Sequence, residues 1–446
     1  MLKFIKNKIS KLDHNTIEVV NKSSYSLMVK IFTVVLGLAL SVFLGRVLSV
    51  SDFGIINLSN RIIQVLIVFC LFGMRQVIIK IVAIDYNSKN TQETANIMFT
   101  AYIFNGVISI LISIVFILIS DWLSVEIFKE PKLRWPLTIS IIALTPQIFS
   151  RVFSGALVGY RRIWQSNLVD NTLSTLITII ILSAFYLLNY EINIINVSII
   201  YALSRLFVML VVGTYWYGIF QNQKKEKTRI ILPSIFKNTL SLFMVSITSM
   251  IFLNADAIML GWLGNVRMVG LYTVAAKIAT LTIFFMQVTN TAISPKLAHL
   301  FAENKINQLE RMTQSITLGL TVIALITLTF IIVFGKFALG LWGNEFEEAY
   351  LVLIILSIGQ FFNIATGASG AILMMCGLQH EYAKLSLFLV VLNLVLNYFL
   401  IKYYGIIGAA IATSVIVFLD NISRVVLAKK KLNILIIPIP RSSQNG

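Results

Sequence analysis

The chain has 446 residues, of which 58% are hydrophobic and 12% are Asp, Glu, Lys or Arg, with a formal net charge of +17. Soluble domains carry roughly 25% charged residues, so this chain has too little polar surface to wrap a water-soluble globule of its length. What remains is a fold solvated by lipid over most of its length.

Residues 1–24 come first and read as a cytoplasmic, interfacial amphipathic segment. Leu2, Ile5, Ile9 and Leu12 fall on one helical face, with Lys3, Lys6, Lys8 and Lys11 off it; this spacing suits a helix lying in the inner-leaflet interface. The apolar stretch that follows runs too long and lacks a small-residue cleavage site, so it is a retained span rather than a secretory signal. Apolar segments then recur at 25–47, 55–79, 95–120, 136–158, 164–188 and 195–219. After a cytoplasmic linker at 220–237 they resume at 238–263, 269–293, 312–335, 349–374, 381–402 and 405–428, followed by a cytoplasmic tail at 429–446. Each segment is about 20 residues or longer, enough to cross a hydrocarbon core of roughly 30 Å and well beyond a barrel strand. Backbone groups in lipid must be satisfied within the segment. The predicted fold class is therefore all-α integral membrane, with about 12 transmembrane helices.

Polar gaps between spans are too short for a soluble catalytic domain, and no nucleophile with its base is present, so the chain is read as a non-enzyme with no catalytic residue. Cys70 and Cys376 both lie in spans, and His14, His299 and His380 are far apart, which suggests neither a disulfide framework nor a metal site. No cofactor is implied. With the N-terminus inside, about 24 Lys and Arg fall on cytoplasmic segments and about seven outside, which places both termini in the cytoplasm. The basic excess is a topology signal and an attraction to anionic membrane lipid; it does not point to nucleic acid.

Gly45, Gly54, Arg61 and Lys80 recur in one register, about half the chain later, as Gly261, Gly270, Lys277 and Lys296. Ser204 and Arg205 recur as Ser423 and Arg424 with a slightly longer offset. Six spans separate the copies, so the halves share one orientation, as in parallel-repeat transporters. The expected architecture is two parallel-oriented six-helix bundles, 25–219 and 238–428, around a central cavity.

Five cations, Lys30, Arg61, Arg151, Arg205 and Lys277, lie well inside the predicted apolar helices. Each costs roughly 2.5–3.5 kcal/mol at a helix centre on the insertion scale. Asp256 and Asp170 are the clearest acids within spans, so at most two of the five can find a carboxylate. Helical spacing puts Ser26, Lys30, Thr33, Gly37 and Ser41 on one face of span one, and Asn57, Arg61 and Gln64 on one face of span two. Thr273, Lys277, Thr280, Gln287 and Thr291 share a face of span eight by the same spacing. Set around a central axis, such stripes make a hydrated cationic cleft suited to phosphate. Other readings stand beside this one. Arg61 could snorkel to the outer headgroups, Lys277 could pair with Asp256, and Lys30 could anchor at the inner interface. Arg205 could cap carbonyls of a neighbouring helix, Arg151 lies close to the inner end, and the stripes could be packing seams.

The stretch Leu44-Gly45-Arg46-Val47-Leu48-Ser49-Val50-Ser51-Asp52-Phe53-Gly54 resembles the R-x-L-x-x-x-x-(F/Y)-G signature of polysaccharide (O-antigen type) flippases. These belong to the multidrug/oligosaccharidyl-lipid/polysaccharide exporter superfamily. Supporting matches are Asp256-Ala257-Ile258-Met259-Leu260-Gly261, Val269-Gly270-Leu271-Tyr272 with Lys277, Ser294-Pro295-Lys296-Leu297-Ala298 and Gly343-Asn344-Glu345-Phe346. The resemblance implies a lipid-linked oligosaccharide, carried on undecaprenyl pyrophosphate and turned from the inner to the outer leaflet by alternating access. It also implies a bacterial inner (plasma) membrane and polysaccharide polymerase machinery as a partner. In related lipid-linked peptidoglycan precursor flippases, cations in spans one, two and eight line the cavity, and Lys30, Arg61 and Lys277 occupy the matching spans here. Arg61 and Lys277 are expected to hold the diphosphate, with Lys30, Arg205 and Arg151 drawing it in from the cytoplasmic side. Asp256 is the candidate for proton or sodium coupling. Sugar-reading candidates are Asn167, Asn171, Gln287, Asn290 and Asn363. Two alternatives remain: a cation-coupled multidrug exporter of the same superfamily, and a membrane polysaccharide polymerase or ligase.

Overall fold

The computed structural model describes residues 14–88, 91–220 and 228–437. The amphipathic pattern read over 1–12 lies outside these residues, as do 221–227 of the linker and 438–446 of the tail. Every regular element among the described residues is helical.

The long elements are α1 (His14–Val47), α2 (Val50–Leu71), α3 (Met74–Ser88), α4 (Gln92–Leu118), α5 (Arg134–Ile142), α6 (Leu144–Gly159), α7 (Ile163–Asn167), α8 (Leu173–Leu187) and α9 (Ile194–Phe220). They continue as α10 (Leu232–Leu263), α11 (Val266–Thr280), α12 (Ile283–Ala302), α13 (Ile306–Gly340), α14 (Tyr350–Ala365), α15 (Ser369–Met375) and α16 (Gln379–Leu432). Nine helices among the described residues are long and apolar enough to cross a bilayer, and eleven when two bent pairs each count as one span. The α16 helix holds 54 residues, roughly 80 Å at helical rise, more than twice a hydrocarbon core. It is broken at Gly405, whose φ of 55° and ψ of −130° are non-helical and open to glycine at little cost. Counted as two spans, α16 brings the total to twelve, and the chain is a multi-pass, all-helical membrane protein.

By backbone contact the chain forms two compact units. The first comprises the described parts of Met1–Leu48, Ile62–Glu126 and Pro131–Ile247; the second comprises Ser49–Arg61, Ile127–Glu130 and the described part of Thr248–Gly446. Both α2 and α10 are divided between them, at Arg61 and at Ile247 respectively.

Lipid as solvent turns the usual helix pattern around. In the first unit, α4 exposes Ile103, Val107, Ile110, Leu111, Ile114 and Leu118, while Thr100, Asn105, Ser109 and Ser113 are buried. Polar side chains thus seek protein partners, as membrane helix packing requires. Asn105 shows the reason at one position. The helix of span two stops at Phe72 and Gly73, both at positive φ, which strands the last carbonyls of α2. Asn105 Nδ2 donates to Cys70 O at 2.7 Å and Leu71 O at 3.1 Å. The expected continuous span at 55–79 is accordingly two helices, and Arg75 stands at the start of the second.

In the second unit, the repeated glycines Gly54 and Gly270 meet. A Cβ on Gly54 would lie 1.8 Å from Val266 O, and one on Gly270 would lie 2.4 Å from Val50 O. The starts of α2 and α11 therefore cross backbone against backbone, which only glycine permits. The pairing of Arg61 with Lys277 follows from it, because each sits the same seven residues beyond its glycine.

Candidate functional site

The first unit gathers three guanidinium groups around one carboxylate. Between α7 and α8 the chain makes a π-helical turn, Leu168–Thr172, a wide turn of the kind that recurs at functional sites. Asp170 sits on it. Its Oδ2 accepts from Arg75 Nη2 at 2.7 Å and its Oδ1 from Ser154 Oγ at 2.6 Å. Ser154 on α6 also meets Ser166 at 2.7 Å and accepts from Arg75 at 3.2 Å. Arg151, just under one turn before Ser154, is within electrostatic reach of Asp170, Arg75 and Arg205. Among the described residues its guanidinium makes no hydrogen bond. Arg205 on α9 lies over the Tyr201 ring, 5.7 Å from its centroid. Gln64, Gln147, Arg151, Asp170, Asn171 and Arg205 line a cavity of about 40 Å³.

Lys30 belongs to the same unit. Its neighbours on the helical face, Ser26 and Thr33, hydrogen-bond Asn167 and Thr172 on either side of the Asp170 turn. The polar face of span one thus packs on span five, and Lys30, between the two contacts, is exposed. It makes no hydrogen bond or ion pair among the described residues.

The second unit gathers Asp256, Arg61 and Lys277. Asp256, only 7% exposed, accepts from Tyr272 Oη at 2.8 Å, Thr413 Oγ1 at 2.7 Å and Asn397 Nδ2 at 3.0 Å. Neutral donors solvate this carboxylate, with Arg61 as the cation within electrostatic reach. The pairing of Lys277 with Asp256 weighed from sequence is not made. Arg61 does not snorkel outward either: its Nη1 donates to Leu253 O at 2.9 Å and Asn254 Oδ1 at 3.2 Å. Lys277 lies within electrostatic reach of Arg61, and its ammonium makes no hydrogen bond among the described residues. Neither cation hydrogen-bonds a carboxylate among the described residues, and Asp256 reaches Arg61 through space only. Asn397 Oδ1, on the amide that bonds Asp256, and Asn393 Oδ1, about one turn earlier on α16, are buried without hydrogen-bond partners.

The structure corrects one stripe. Thr273, Lys277 and Thr280 share α11, but α12 leaves it at 41°, so Gln287 and Thr291 do not continue that face. At the break Thr280 Oγ1 bonds Ala276 O and Thr282 Oγ1 bonds Ala279 O, each at 2.8 Å. Among the sugar-reading candidates, Asn171 faces the cavity. Asn167 is used in packing, and Asn363 is bonded to Gln360 and Asn421. Asn290 Oδ1 is buried and unpaired, and Gln287 is exposed.

Two participants were missed from sequence. Arg75, which the sequence reading does not single out, is the hydrogen-bonded partner of Asp170, 95 residues away. Asp420 forms a further intramembrane ion pair with Arg424 in the second unit. Its i,i+4 spacing was a signal that could have found it.

Twelve spans among the described residues, with charged clusters buried among them, define a polytopic membrane fold, and solved structures agree. An inward-facing multidrug resistance MATE family transporter of the MOP superfamily superposes with a TM-score of 0.73 at 16% identity, covering 90% of this chain and 94% of that one. The lipid II flippase MurJ in an inward closed conformation gives 0.70 at 14% identity, covering 91% of this chain and 87% of that one. At such identities the likeness is one of fold. The chain belongs to the polysaccharide biosynthesis protein family, whose model matches residues 19–301, and a MatE model matches 241–399. Among curated relatives, the "Probable low-salt glycan biosynthesis flippase Agl15" of Haloferax volcanii is 31% identical over 201 residues, 43% of this chain and 42% of that protein. The capsular polysaccharide biosynthesis protein CapF of Staphylococcus aureus is 23% identical over 249 residues, 55% of this chain and 63% of that protein. The chain spans about half the length of these relatives.

Proposed function

We propose that the protein is a flippase that turns a lipid-linked oligosaccharide from the inner to the outer leaflet by alternating access. The carrier lipid is undecaprenyl pyrophosphate and the product feeds O-antigen or another surface polysaccharide, with a polymerase downstream. The reading places the chain in the bacterial inner membrane with both termini in the cytoplasm. The family match and the named flippase among its relatives support it. The observation that carries it is charge: the cations Arg61 and Lys277 of the second unit, and Arg151 and Arg205 of the first, outnumber the carboxylates beside them. Such an excess is costly in lipid unless an anion shares the site, and a diphosphate offers acceptors that match guanidinium and ammonium donors. The polyprenyl tail stays in lipid while the head moves through the protein.

Arg61 and Lys277 hold the diphosphate, and Lys30, Arg151 and Arg205 draw it in. Asp256, with Asn397 and Thr413, is the coupling site for a proton or sodium ion. Positive interior charge argues against a carrier of cationic drugs. Arg61→Glu and Lys277→Glu should each abolish surface polysaccharide while the protein persists in the membrane at normal abundance. Normal polymer in both variants rejects the assignment.

A further inference from the structure

We propose that Asp170 is a resident counter-ion that an incoming diphosphate must displace, so that the first unit's cavity takes its anion in exchange for this carboxylate. The inference rests on the reading that the substrate head is a diphosphate. Charge is the first ground. The cations gathered about the turn from the packed elements are Arg75 on α3, Arg151 on α6 and Arg205 on α9, with Asp170 as the carboxylate among them. One internal anion lowers the cost of holding these cations in the empty protein.

Unused donor capacity is the second ground. A guanidinium carries five N–H donors. Arg75 Nε is buried with no partner, and Arg151 makes no hydrogen bond among the described residues. Arg151 therefore lines a cavity with donors that Asp170 alone does not fill, and Arg75, bonded to the same carboxylate, keeps a further donor unused. The cavity, about 40 Å³, exceeds the roughly 10–15 Å³ that a water needs, and it is lined by amides and hydroxyls as well as by Arg151 and Arg205. Carboxylate and phosphate oxygens call on the same donors in the same fork geometry, so occupancy by one weakens the hold on the other. The third ground is the backbone: Asp170 stands on the π-helical turn Leu168–Thr172, a wide turn of the kind frequent at functional sites.

The test is binding of inorganic pyrophosphate to the full-length protein in lipid nanodiscs. Asp170→Asn should raise affinity by roughly tenfold to a hundredfold, as expected for removing one competing charge within a few ångströms. Asp170→Glu should stay near the wild type, and Arg151→Gln should bind more weakly. Simple damage to the fold lowers affinity, so a rise is not explained by a structural role. Unchanged or weaker binding in Asp170→Asn, with weaker binding in Arg151→Gln, overturns the counter-ion role and leaves the diphosphate reading standing. Binding indifferent to both substitutions overturns both. Should Asp170→Asn fail to accumulate, carbodiimide labelling of Asp170 in the wild type decides: labelling that rises with pyrophosphate supports displacement, and labelling that stays level or falls overturns it.

Discussion

The two units handle a buried carboxylate in opposite ways. In the first, Asp170 is held by a charged partner, Arg75 at 2.7 Å, with further guanidiniums close by. In the second, Asp256 is held by a phenol, a hydroxyl and an amide, with Arg61 at longer range. A carboxylate solvated by neutral donors keeps its charge available to a small cation. One locked into an ion pair is available only when the pair opens. On the function proposed above, the difference divides two tasks: gripping an anion and sensing an ion.

The sharpest way to break this contrast is to remove each carboxylate in turn. Losing one member of a largely buried pair costs about 3–5 kcal/mol when the other charge is left unsolvated. The Arg75 and Asp170 side chains keep 24% and 16% exposure, which brings the expected loss for Asp170→Ala to about 2–3 kcal/mol. Thermal unfolding in detergent should show a clear drop in midpoint. Arg75→Met should cost less than Asp170→Ala, because Arg151 remains beside the carboxylate. Equal losses would mean that Arg151 offers Asp170 nothing.

Asp256→Asn should be milder, about 1–2 kcal/mol. Tyr272 and Thr413 can still donate to the amide oxygen, and only the Asn397 contact becomes donor against donor. The same substitution should remove any dependence of transport on a sodium or proton gradient, read in vesicles loaded with lipid-linked sugar. A stability loss as large as that of Asp170→Ala would show that Asp256 is a structural charge and erase the distinction between the units.

Much of this arrangement was legible in the chain, and the illegible part has physical causes. Long apolar segments report spans because lipid admits little else, and Gly405 falls at the join of the two spans read at 381–402 and 405–428. The shared register of Arg61 and Lys277 was readable because Gly54 and Gly270 mark where their helices cross. Arg75 was not readable: a span interrupted at Phe72 and Gly73 looks continuous to a hydropathy reading, and its partner is supplied by tertiary packing. The bend after Thr280 was hidden for a related reason, since neither proline nor glycine marks it. Which neutral groups would surround Asp256 depended on Tyr272, Asn397 and Thr413 from three separate stretches. No local spacing encodes that meeting.

The smallest predicted effect bears on the repeat itself. Arg205 and Arg424 occupy matching places in the two halves of the sequence, yet Arg424 is paired with Asp420 one turn earlier and also donates to Tyr382 Oη at 2.5 Å. Its guanidinium lies 4.8 Å from the Tyr382 ring centroid, so removing the carboxylate leaves it with a cation–π contact and a hydroxyl. An i,i+4 pair on one helix contributes about 0.3–0.5 kcal/mol when exposed. With side-chain exposures of 17% and 16%, Asp420→Asn should cost about 1 kcal/mol, less than either change at Asp170 or Asp256. Thermal unfolding measures the cost, and pyrophosphate titration of the same variant measures the consequence. If neutralisation by Asp420 is what keeps Arg424 from taking an anion, the variant gains a second, weaker binding phase. A single phase identical to the wild type would place the asymmetry of the two units in their surroundings rather than in this one carboxylate.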